Sequence, residues 1–128
     1  MSASNAAAFD ALAFQLAAAL DRYDAEFAEL MRRWPDMELY NGVSKRIDEL
    51  RMVSASFPEL SVQYVSLLIA HAELVHCLWK TQTEPATASG NLAVARDEHQ
   101  MAIRSMRRKC LRLLAGSDTI RDASRQGS

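Results

Sequence analysis

Glycine, proline and cysteine are all scarce in this 128-residue chain, at four, three and two residues. So few turn formers exclude a fold of many short strands, which needs turn signals about every 8–12 residues. Cys77 and Cys110 are too few for a disulfide framework and lack the C-x-x-C spacing of a redox or metal site. They point to a reducing compartment. No glycine-rich phosphate loop and no Ser-His-Asp arrangement can be assembled, which argues against an enzyme. The N-terminal stretch MSASNAAAFDALAFQLAAAL is apolar, but it lacks a basic leader and is broken by Asp10 and Gln15. It reads as neither a secretory signal nor a membrane span. The expectation is a cytoplasmic protein with no membrane association. An excess of arginine over lysine and abundant alanine suit a GC-rich bacterial genome.

A large net charge is also missing. The formal value is -1, so nothing pulls the chain as a whole toward nucleic acid or lipid. The halves differ: residues 1–64 hold ten acidic and six basic groups, residues 65–128 six acidic and nine basic. The basic excess belongs to the C-terminal half.

What is present in quantity is apolar side chains, 49% of the chain, in long segments with a helical period. Phe9, Ala13, Leu16, Leu20, Tyr23, Phe27, Leu30 and Trp34 alternate at steps of four and three, which keeps one seam on one side of a helix. Asp36 is placed to cap a second helix whose seam is Tyr40, Val43, Ile47, Leu50 and Phe57, with Gly42 as the point where it can kink. Ser56, Pro58 and Glu59 read as the start of a third helix, running to about Thr81. This segment carries two apolar seams, one of Leu60, Tyr64, Leu67, His71, Leu74 and Leu78, the other of Val65, Leu68, Ala72, Val75 and Trp79. Its solvent stripe is expected at Glu59, Gln63, Ser66, Ala70, Glu73, Cys77 and Lys80.

Residues 82–90 have the composition of a connecting loop. A fourth helix is expected from about Asn91 to Ala115, with Leu92, Ala95, His99, Ala102, Met106, Cys110 and Leu113 inward and Gly116 ending it. Residues 117–128 read as a short polar tail, frayed or briefly helical. Short connections force sequential helices to run opposite ways. The fold class is therefore all-α, an antiparallel up-down four-helix bundle forming one domain over residues 1–116.

Four constellations qualify as sites. Arg104, Arg107, Arg108 and Arg112 share a face of the last helix and form a candidate anion-binding stripe, since guanidinium groups grip phosphate oxygens bidentately. The preferred reading is a solvated face that pairs with the acidic first helix, because no aromatic residue is interleaved for base stacking. Glu73 and His76 match one half of a di-iron motif, but no second copy exists and no metal is expected. A helix-turn-helix around Gly42 and Val43 is disfavoured, because residues 35–41 are too short for the supporting helix.

His71 and His99 are the fourth. Both fall on core seams, and counting outward from a turn near residue 86 puts them in one layer, with Phe27 and Val43 at that height and Tyr23 a turn away. With no carboxylate or third histidine to complete a zinc site, the expected role is a neutral buried pair hydrogen-bonded mutually or through Tyr23. Acid near pH 5 to 6 should then destabilise the fold.

The leading expectation is a non-catalytic interaction protein without cofactors. It self-associates as a homodimer through Val65, Leu68, Val75 and Trp79, and serves a protein partner as regulator, adaptor or chaperone. A nucleic-acid-associated regulator using the arginine face is the alternative. A ligand or metal pocket around Tyr23, His71 and His99 is the third.

Overall fold

The computed structural model describes the backbone of residues 2–126 and the side chains of residues 7–85 and 90–115. Four α-helices, α1 (Ser2–Arg32), α2 (Met37–Ser54), α3 (Ser61–Thr83) and α4 (Pro85–Gln126), are joined by short turns, and no strand occurs among the described residues. The direction of each helix follows from which residues meet. Cys110 Sγ donates to the Ala13 carbonyl at 3.2 Å, while Gln100 of α4 donates to Asp24 of α1 at 3.2 Å. Arg46 of α2 reaches Glu26 of α1, and Phe57 stacks edge-on against Phe9 with ring centroids 5.1 Å apart. Rising numbers on one helix meet falling numbers on its neighbour, so the bundle is antiparallel and up-down.

The α1 seam forms the spine of the core. Ala13, Leu16, Leu20, Tyr23, Phe27 and Leu30 are all buried, and Phe9 and Trp34 pack at its two ends. Against it lie Val43, Ile47 and Leu50 of α2, Tyr64, Leu67, Leu74 and Leu78 of α3, and Ala95, Ile103, Met106 and Cys110 of α4. Fully burying a leucine- or phenylalanine-sized side chain contributes about 1.5–3 kcal/mol, so this single core supplies the main stabilising term.

The turns follow local chemistry. The Asp36 carboxylate accepts from the N–H groups of Glu38 at 3.0 Å and Leu39 at 3.1 Å, satisfying two donors that the first turn of α2 cannot pair internally. Gly42 does not break that helix; the backbone stays helical through it, and a Cβ there would meet nothing within 4 Å. Phe57 lies beyond the end of α2 and is buried. The expected cap at Ser56 does not form. Phe57 takes the N-cap position without a side-chain bond, and Pro58–Leu60 make a 3-10 turn leading into α3.

Two boundaries differ from the sequence expectation. Residues 82–90 are not a loop: α4 already starts at Pro85, and only Glu84 separates it from α3. A proline suits a helix's first turn, whose N–H groups have no internal partner in any case, so its presence marks the start of α4 rather than a break. At the other end the helix does not stop at Gly116 but continues to Gln126, so residues 117–126 of the expected tail are the last part of α4, and 127–128 lie outside the described residues. Side chains there lie outside the described residues.

The solvent stripe expected of the third segment is exposed at Glu59, Ser66 and Glu73 but not throughout. Ala70 is buried, and Gln63 and Cys77 are half-buried, whereas Val62, Val65, Leu68 and Ile69 are exposed. The cause is the close approach of α4. Cys77 Sγ sits 3.8 Å from the carbonyl oxygen of Asn91, and small residues such as Ala70 and Cys77 permit that approach. The face turned to α4 thus lies to one side of the Leu67 seam, and the other flank of α3 is left apolar and uncovered. By length and composition alone, Pro58–Thr83 is the one described segment that meets the criteria for crossing a membrane.

Candidate functional site

Three side chains from three helices converge in the middle of the bundle. Tyr23 projects from the inward seam of α1, His71 from α3 between Leu67 and Leu74, and His99 from α4 between Ala95 and Ile103. Tyr23 Oη lies 2.7 Å from His71 Nδ1 and 2.8 Å from His99 Nε2. A phenol carries one proton and can also accept, so it donates to one neutral imidazole and receives the N–H of the other. Phe27, one turn on from Tyr23, lies with its ring centroid 5.5 Å from that of His71 and 4.5 Å from that of His99. The group is thus a polar bridge set against an aromatic wall.

Burial sets its charge state. It lowers His71 from the ordinary imidazole value to about 4, because a cation in the bundle interior loses its hydration. His99 is also lowered to about 4, first by burial and then by the neighbouring His71, with Asp24 opposing. Burial likewise raises Tyr23 far above the ordinary phenol range. At pH 7 all three are neutral. Such a cluster fixes how three helices sit against one another, because any other register leaves buried donors and acceptors unpaired.

His99 also reaches an open groove. A cavity of about 640 Å³ runs between α1 and α4, and Phe27, Leu78 and His99 line it together with Ala28, Met31 and Leu92. Asp24, Arg32, Arg96 and Gln100 contribute its polar lining. The Asp24 carboxylate accepts from Gln100 and lies 3.6 Å from Arg107, while Arg32 pairs with Glu29. Arg96 makes no ion pair among the described residues.

The arginine face is not one surface. Arg107 turns toward α1, where its guanidinium lies 2.5 Å from Asp21 and 3.6 Å from Asp24. Arg104, Arg108 and Arg112 stay exposed and form no ion pair among the described residues. Nor are the four candidate interface residues equivalent. Val65 and Leu68 are exposed, at 52% and 41%, but Val75 packs against the core. Trp79 is 40% exposed and stacks edge-on with Trp34 at 4.8 Å and with Tyr40 at 6.2 Å.

Sequence reasoning missed Val62 and Ile69, exposed at 69% and 55%, and it missed Arg96. The signal for the first two was available, since Val62, Val65, Ile69, Ala72, His76 and Trp79 follow steps of three and four. Glu73 and His76 are exposed, and no group of three or more histidine, cysteine or carboxylate side chains among the described residues is placed to hold a metal. Set against protein-family models, curated proteins and solved structures, the chain matches none of them.

Proposed function

We propose that this chain is a non-catalytic interaction protein of the cytoplasm, pairing with a second copy of itself across the uncovered face of α3 and serving another protein as regulator, adaptor or chaperone. The observation that carries the reading is that face. Val62, Val65, Leu68 and Ile69 are all 41–69% exposed within two turns of one helix, and the stripe continues to half-exposed Trp79. From Val62 to Trp79 it is roughly 26 Å long at the helical rise. Scattered apolar residues are normal on a surface, but a contiguous apolar patch beyond a few hundred Å² marks an interaction site. A helix face also suits an isologous dimer, because two copies of one straight seam pack on each other about a two-fold axis.

The experiment is a molar-mass measurement by light scattering on the wild type and on Ile69→Glu. The reading expects twice the 14.3 kDa chain mass for the wild type and a helical monomer for the variant. A wild type that stays monomeric at millimolar concentration would remove self-association.

A second reading rests on Arg104, Arg108 and Arg112, which stand four residues apart and exposed on α4. They support an anion-binding stripe for nucleic acid. Binding would weaken steeply with salt and collapse when the three become glutamine.

A further inference from the structure

We propose that the groove between α1 and α4 is a binding site for a small amphipathic carboxylate, whose acid group pairs with Arg96 while its hydrocarbon part lies on Phe27, Met31, Leu78 and Leu92. The cavity of about 640 Å³ is within the range of about 300–1,000 Å³ found for small-molecule sites. Six of its eleven lining residues are apolar, and the other five are Asp24, Arg32, Arg96, His99 and Gln100. Those polar groups favour an anion. Asp24 is the one acidic residue in the lining, and it is already engaged by Gln100 and Arg107. Arg32 is occupied by Glu29. Arg96 remains as a cation with no acidic partner among the described residues.

The register of the helices orders these parts along the groove. Asp24 meets Gln100, so Arg96, one turn earlier on α4, stands level with Phe27 and Ala28, and Leu92 a further turn along stands level with Met31. One end is closed by the Asp24–Gln100 bond, and at the other, toward the α3–α4 turn, Met31 and Leu92 stand beside Arg32, which is held by Glu29. A chain whose acid sits on Arg96 lays its hydrocarbon part along Phe27, Met31, Leu78 and Leu92. A neutral alcohol of the same length finds the apolar wall but no use for the guanidinium. The site shares no apolar residue with the exposed face of α3, so it stands or falls independently of the proposed dimer.

The test is a titration of the whole chain with decanoate and, in parallel, with decanol, below their aggregation concentrations, followed by backbone NMR shifts. Saturable decanoate shifts confined to residues 24–32 and 92–100 and the surroundings of Leu78 are expected, with decanol roughly tenfold weaker or more. Arg96→Gln should weaken decanoate by a similar factor, while Ala28→Trp, which fills the groove from an exposed position, should abolish binding with no change of charge. Ile69→Glu should leave decanoate binding as it was. Equal affinity for decanoate and decanol overturns the proposal without any variant. So do shifts centred on Val62, Val65 and Ile69, no saturable binding, or unchanged binding in a folded Arg96→Gln.

Discussion

Tyr23 and His99, 76 positions apart in sequence, share a hydrogen bond of 2.8 Å between Oη and Nε2 in the buried middle of the bundle. The same oxygen meets His71, so one phenol ties α1 to both α3 and α4. Three polar groups in an apolar layer contribute little net stability when all are satisfied, but they make any unsatisfied arrangement expensive.

Stability should therefore fall with acid. Each histidine has a folded-state pKa of about 4 against 6.5 in the unfolded chain, so the unfolded state binds the extra protons. The stabilisation is complete above pH 6.5 and is lost as pH falls from 6.5 toward 4. Charging each ring costs the fold roughly 3 kcal/mol across that window. Urea unfolding at pH 7.5, 6 and 5 measures this, and a variant with His71→Leu and His99→Leu should show a much flatter dependence.

Removing the bridge should cost more than one hydrogen bond is worth. Tyr23→Phe keeps the ring against Phe27 but leaves both imidazole nitrogens without their partner. A loss of about 1–3 kcal/mol is expected from the buried unsatisfied groups. Replacing all three together, by phenylalanine at Tyr23 and leucine at both histidines, should recover most of that loss. A stability for Tyr23→Phe equal to the wild type would show that the bridge constrains nothing.

Gly42→Ala should stabilise the protein. Gly42 lies inside α2 with no positive φ, and a Cβ there enters open space. Alanine lowers the conformational freedom of the unfolded chain at no folded-state cost, worth about 0.5–1 kcal/mol. Chemical denaturation would register this as a higher midpoint with an unchanged slope.

The sequence pattern carried the bundle and its central layer because both depend on simple spacing. The three-four steps of α1 identify Leu16, Leu20, Tyr23 and Phe27 as buried, and counting from the turn puts His71 and His99 in one layer with Phe27 and a turn from Tyr23, whose hydroxyl reaches both. Spacing could not show how closely two helices approach. Ala70 and Cys77 look like members of a solvent stripe until α4 packs against them, which turns the opposite flank, Val62 and Ile69, outward. Composition misled at residues 85–90, where proline, threonine, serine and glycine resemble a loop. A helix begun at a proline, with its backbone bonds made internally, accepts them. Arg96 stood out in no motif, because its place depends on a groove formed by two distant helices.

Whether the uncovered flank of α3 meets a second copy is tested most directly by methyl NMR of Val62, Val65 and Ile69 across a dilution series. The account predicts that these signals shift together as the protein is diluted, while those of buried Leu67 and Leu74 hold still. Signals from Val62, Val65 and Ile69 that are unaffected by concentration, or a concentration dependence confined to Val94 and Leu111, which are also exposed apolar residues but on α4, would contradict it.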